Sequence, residues 1–233
     1  MIDLEALIAV DGLSREDLLN VYVIGSRAHG TAHAGSDHDI VAVMRPHRRR
    51  WRGMQWLVRD GWAAPDARRY RGARRDFIGR DDRQIWVFDA PTFIKMRDAH
   101  VLLALECLWL PAEQVWLRRE ELGAGFVVDR GALAPAITYV AERHWDKGRR
   151  ALSELADGED PTAGRKFLVH AMRALMFGAQ LAGRGRIVDY GAANGLRREL
   201  LAAPAGAWET LARRFEPTFA GLAEAFTRAC ASG

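Results

Sequence analysis

Apolar and polar positions alternate in three different ways along this chain. Asp3 to Val10 carries apolar residues at helical spacing and reads as a short helix, with Ser14 capping a second turn that reaches Leu19. From Asn20 the texture changes to β-branched and aromatic: Asn20 to Ile24 (NVYVI) and Asp39 to Met44 (DIVAVM) are short continuous apolar runs joined by a glycine-rich connection, which predicts two buried strands. Arg45 to Arg83 has no clean period and is punctuated by Gly53, Gly61, Pro65, Gly72 and Gly79, so it is expected to be loop with some short helix. Gln84 to Phe88 (QIWVF) predicts a third strand, and Pro91 opens a helix to about Ala99. Beyond Val101 the period is helical throughout. Val101 to Leu110 is an internal helix stopped by Pro111; Gly131 to Leu155, Ala163 to Leu181, Ala192 to Ala202 and Trp208 to Ala229 follow, the first two separated by the turn-like DGEDPTAG. No internal repeat is visible. The expected architecture is α+β: an α/β unit over residues 1–130 with a basic insertion at 45–83, then a helical domain over 131–233.

Composition narrows the class. With 49% hydrophobic and 27% charged residues the chain is globular, which excludes a disordered tail protein, a collagenous repeat or a disulfide-stapled miniature. No apolar run approaches the roughly 20 residues that span a bilayer. The first residues, MIDLEALIAVDGLSRED, are acidic and amphipathic, so a soluble, cytoplasmic protein without membrane contact is expected. Cys107 and Cys230 lie far apart among apolar residues and read as free thiols, which excludes redox chemistry as the main function. The net charge of +4 hides an asymmetry. Arg45 to Arg83 holds thirteen Arg against five Asp, a local +8, so the remainder sums to −4. Its arginines are interleaved with Trp51, Trp56, Trp62 and Tyr70, a composition suited to gripping backbone phosphate and stacking bases, or to a solvated insertion anchored by its tryptophans.

The chemistry-bearing stretch is VYVIGSRAHGTAHAGSDHDIVAVM. Gly25-Ser26 ends one strand, and ten residues later Asp37-x-Asp39 opens the next. Residues two apart in a strand share a face, so Asp37 and Asp39 present neighbouring carboxylates. Like charges so close need a cation between them, and a hard divalent ion such as Mg2+ accepts carboxylate oxygens while leaving positions for phosphate. Gly25 and Ser26, at a strand end that turns into a helix, offer backbone N–H groups and a hydroxyl to a phosphate. His29 and His33 have the spacing of a helical metal pair, and His38 lies close by, but no Cys or Glu signature accompanies them and zinc is not favoured.

This pattern resembles the signature of the nucleotidyltransferase superfamily whose best-known member is DNA polymerase β, and GSRAHGTAHAGSDHDI is similar to its minimal prokaryotic and phage members. The resemblance implies a minimal nucleotidyltransferase fold, a short mixed sheet with helices followed by a C-terminal helical domain, with the nucleotide lying between the two parts. It implies transfer of a nucleoside monophosphate from an NTP, ATP being expected, to an acceptor hydroxyl with release of pyrophosphate. Gly25 and Ser26 would hold the β and γ phosphates, and Asp37 and Asp39 would ligate two Mg2+ or Mn2+ ions.

The same family uses a third carboxylate on a later strand. Registered against Pro91 and Phe93, that position falls on Gln84; Asp82, two residues earlier and on the same face, is the candidate acid, whereas Asp89 points the other way. In the helical part, Lys166, His170, Arg173, Phe177, Gln180 and Arg184 recur at spacings of three and four, opposite Leu168, Met172, Leu175 and Ala179. Such a stripe is ordinarily a solvated face. The run KFLVHAMRALMFGAQLAGRGRIVDYGAANGLRREL is nevertheless similar to the helical region of the minimal nucleotidyltransferases, which implies that Lys166 and Arg173 neutralise triphosphate charge and His170 binds phosphate or sugar. Tyr190 either stacks on a base or is a buried structural tyrosine. RNA or another nucleic acid is the expected acceptor. The competing expectations are a non-catalytic nucleotide or nucleic-acid binder with a degenerate third acid, and a nucleotidylyltransferase of proteins or small molecules.

Overall fold

The apolar run LLNVYVI forms strand β1 (Leu18–Ile24), in which every residue is buried. The computed structural model describes residues 15–46, 73–78, 83–154, 160–203 and 208–232. After β1 come a four-residue helix α1 (Gly25–Ala28), β2 (His38–Met44), β3 (Ala73–Ile78), β4 (Arg83–Asp89), α2 (Ala90–Asp98), α3 (Leu102–Leu108) and β5 (Val115–Arg118). Four further helices follow: α4 (Arg130–Ser153), α5 (Thr162–Arg184), α6 (Asn194–Ala202) and α7 (Trp208–Ala231). No described helix is long and apolar enough to cross a membrane.

The five strands form one mixed sheet in the order β3-β4-β2-β1-β5, with β2 and β4 parallel and the other pairs antiparallel. β1 along its length, β2 from Ile40 and β4 over Ile85–Phe88 are buried on both faces, which is why these stretches are almost continuously apolar. One face carries Val21, Ile40, Ala42, Met44, Ile85 and Val87 into a common core. On the other, the ring of Tyr22 stacks on Phe93 of α2, centroids 6.1 Å apart. Burial pushes the Tyr22 hydroxyl far above the usual tyrosine range. Asp89, at the end of β4, accepts a hydrogen bond from Thr92 N at 2.8 Å, capping α2.

Several boundaries differ from the sequence reading. Leu18 and Leu19 already belong to β1, so the turn expected to run through Leu19 stops at residue 17. The stretch 73–78, expected as loop or short helix, is the edge strand β3, and Val115–Arg118 adds an unanticipated strand β5. Both are edge strands whose composition need not be apolar on two sides. The helix expected over Asp3 to Val10, the turn at Ser14, Asp82 and most of the arginine-rich segment lie outside the described residues.

The chain falls into two compact units. The sheet, α1, α2 and the chain from Leu103 to Phe126 make one; Ala99–Leu102 and the described residues from Val127 onward make the other. In the second unit α4 and α5 run antiparallel at close range. A methyl group added to Gly148 would lie 2.6 Å from Leu168 Cδ2, and one on Gly178 would lie 2.7 Å from Ile137 Cγ2. Asp129 caps α4 by accepting from Gly131 N at 2.8 Å, and its own N donates to His100 Nε2 at 2.9 Å. The core of this unit gathers Trp145, Leu168, Met172, Leu200, Trp208 and Phe215, with Trp145 stacked on Phe219 at 4.3 Å. The two cysteines are free, Cys107 buried and Cys230 partly so.

Candidate functional site

Antiparallel pairing of β1 with β2 places Ile24 opposite Asp39. The turn that leaves β1 therefore lies beside the aspartate that opens β2. Gly25 takes φ +66°, a left-handed conformation that glycine adopts without strain. A methyl group at this position would be driven into the Asp39 carboxylate, 2.8 Å from its Cγ. The carboxylate thus occupies the space that any other residue at 25 would fill.

The turn is closed by its own backbone. His29 N donates to Gly25 O at 3.0 Å, Gly30 N to Arg27 O at 3.2 Å and Thr31 N to Ser26 O at 2.8 Å. The connection to β2 is held by Arg27, whose Nη2 donates to Ser36 O at 3.2 Å and lies 3.4 Å from His38 Nδ1. Within it, His33 N donates to Ser36 Oγ and Gly35 N to His33 Nδ1. This lattice delivers Asp37, exposed, and Asp39, partly buried, to the same end of the sheet as the Gly25-Ser26 turn.

Burial, with smaller contributions from the negative charges of Asp37 and Glu106, pushes the Asp39 carboxyl up from its ordinary 3.8 to about 6. Negative charge is in excess there. Among the described residues no set of three His, Cys, Asp or Glu is arranged to hold a metal ion. The two aspartates fit a hard divalent cation as a two-carboxylate site, with its remaining positions filled by phosphate oxygens and water. In the parallel β2–β4 ladder the register partner of Asp39 is Gln84, while Asp89 pairs with Met44 at the far end and caps α2. Asp82 lies outside the described residues.

Two participants were missed by sequence reasoning. Glu106 is the single charged residue in the apolar helix LLALECL, and that isolation was the signal for it. It is buried with its Oε2 3.6 Å from Nε2 of buried His29. Arg27, inside the motif itself, organises the loop that carries Asp37. His29 and His33 do not form a metal pair: His29 is buried against Glu106, whereas exposed His33 serves its own loop.

On α5 the expected single stripe divides. Lys166 and His170 are exposed, one turn apart, but Arg173 and Phe177 are buried. Phe177 packs edge-on against buried Tyr190 at 5.5 Å, which makes Tyr190 a structural tyrosine. Gln180 accepts from Val188 N and Asp189 N and donates to Asp189 O, so it fixes the following loop. A groove of about 560 Å3 beside α5 is lined by Leu175, Met176, Ala179, Arg184, Val188 and Leu222, among others, and by none of Lys166, His170 and Arg173.

No curated protein matches the sequence significantly. Residues 9–97 match the nucleotidyltransferase domain family. That span contains the Gly25-Ser26 turn, Asp37, Asp39 and the strands that bring them together, so it is over the motif-bearing part of the chain that the sequence is similar to the nucleotidyltransferase domain family.

Proposed function

We propose that the protein is a metal-dependent nucleotidyltransferase that moves a nucleoside monophosphate from an NTP, ATP first among them, to an acceptor hydroxyl, with pyrophosphate leaving. The observation that carries this reading is the placement of the Asp39 carboxylate against Gly25, which sets an anion-binding turn and a cation-binding carboxylate side by side. Gly25 and Ser26 receive the β and γ phosphates through backbone N–H groups and the Ser26 hydroxyl. Asp37 and Asp39 hold Mg2+ or Mn2+, two ions in the active state, which would neutralise phosphate charge and polarise the reacting phosphorus. Asp82, two residues ahead of the register partner of Asp39, is assigned as the third acid, receiving the proton of the acceptor hydroxyl. Exposed Lys166 and His170, together with Arg173, are assigned to the triphosphate and sugar. The excess of +8 in Arg45 to Arg83, mixed with tryptophan and tyrosine, favours RNA or another nucleic acid as acceptor. The compartment assigned is the cytoplasm.

One observation favours a second reading. Gln84 stands beside Asp39 in the β2–β4 register, where a carboxylate would complete the site, and this suits a nucleotide binder that has lost transfer. Incubating the protein with each α-labelled NTP, Mg2+ or Mn2+ and total RNA separates the two. The first reading expects label on RNA, and its loss by at least about 1,000-fold in Asp37→Ala/Asp39→Ala, given the several kcal/mol that metal-held charge stabilisation contributes. Label in no fraction, with nucleotide still bound, supports the second; label transferred by the double variant overturns both.

A further inference from the structure

We propose that His29 and Glu106 form a buried positioning pair that holds the Gly25-Ser26 turn in place against Asp39. The proposal rests on the nucleotidyltransferase reading for its purpose and on geometry for its existence. Glu106 projects from α3 out of an otherwise apolar helix and is 8% exposed. His29, 5% exposed, is the residue at which α1 ends, and its ring lies 3.6 Å from the Glu106 carboxylate. The backbone N of the same histidine donates to Gly25 O at 3.0 Å, and Gly25 in turn abuts Asp39. A continuous chain of contacts therefore runs from α3 through His29 and the turn to the aspartate.

Stability alone does not call for such a pair. Removing two ionisable groups from water is costly, and apolar residues of similar volume commonly fill such a space at no loss. What a polar pair at this contact adds is a fixed separation and direction, which packing among interchangeable methyl groups does not specify. The turn needs this support because α1 is only four residues long and has no apolar stripe of its own to anchor it. Neither residue is a ligand: Glu106 joins no three-residue metal group among the described residues, and both side chains are enclosed. They act through the turn, as positioning residues.

The test compares wild type with Glu106→Gln, His29→Gln and the double variant by amide hydrogen exchange and by steady-state transfer kinetics. Exchange is expected to quicken about tenfold or more at His29, Gly30 and Thr31, whose amides close the turn, and to stay unchanged at Val41 and Val43 of β2. Transfer is expected to lose about 100-fold in kcat, the scale of a misplacement near 1 Å, with KM for NTP within about threefold. The double variant should be no worse than either single one, because the residues form one unit. Should Glu106→Gln fail to fold, Glu106→Met, close in volume and apolar, is expected to fold and show the same exchange signature. Unchanged exchange at the three turn amides overturns the proposal, as does quickening spread evenly through β2. Quickened exchange at the turn in a protein that transfers no label supports the pair and removes the transferase reading.

Discussion

Gly25 carries two constraints at once, a left-handed φ and a carboxylate where its side chain would stand. An alanine there must either shed the φ of +66° or displace Asp39. Gly25→Ala is therefore expected to retain secondary structure by circular dichroism and to lose transfer by about 100-fold or more, since either escape moves the turn relative to the aspartate by about 1 Å. Activity within a few-fold of wild type would mean that turn and carboxylate do not work together. The spacing of Gly25-Ser26 and Asp37-x-Asp39 was legible in the sequence because strand periodicity and turn chemistry are local rules. Glu106 was legible only as an isolated charge in an apolar helix; its meaning comes from a contact with His29 across 77 positions of chain, which no local pattern encodes.

At the level of elements, the inner strands and long helices were legible for a related reason: a strand buried on both faces and a helix with one apolar face each write their environment into every few residues. The edge strands β3, ARRDFI, and β5, VWLR, face fewer neighbours and carry no such imprint. The stripe on α5 misled at Arg173 and Phe177, since spacing gives the side of the helix but not which part of that side is covered.

Between α4 and α5 the ring of His144 stacks on Phe167 at 6.2 Å and lies 5.8 Å from His170. Burial, then the charge of Lys147, lowers its pKa from 6.5 to about 4, with Arg143 acting in the same direction and the Val140 backbone opposing. Above pH 6.5 the imidazole is neutral whether the chain is folded or not. As the pH falls the unfolded chain takes the proton first, so the helical unit loses stability between about 6.5 and 4 and no further below. The loss at pH 5 is about 2 kcal/mol at 1.36 kcal/mol per unit. His144→Phe, which has nothing to protonate, is expected to show a smaller drop in Tm between pH 7.5 and pH 5 than wild type. Parallel drops would mean that the histidine titrates normally.

For the whole molecule the charge asymmetry matters more than the total. A segment of +8 within a chain of +4 is set up to collect polyanions locally while the rest stays mildly acidic. If that segment neutralises four phosphates of single-stranded RNA, affinity should fall about 50-fold between 50 and 200 mM salt, following a slope near −0.7 per phosphate. Replacing Arg48, Arg49, Arg50 and Arg52 by Ser should flatten that slope in a filter-binding titration. A slope that stays the same would move the RNA contact elsewhere.

Asn20 carries a consequence of another kind. Its buried side chain donates to Tyr22 Oη at 2.6 Å and to Glu120 O at 2.9 Å, and accepts from Arg119 N and Glu120 N at 3.0 and 3.1 Å. One amide thus satisfies the backbone just past β5, where the sheet stops. Asn20→Ala would remove the partner of two backbone N–H groups and one carbonyl at the point where the chain leaves the sheet. In this way a residue remote from phosphate or cation fixes the exit of the chain from its sheet.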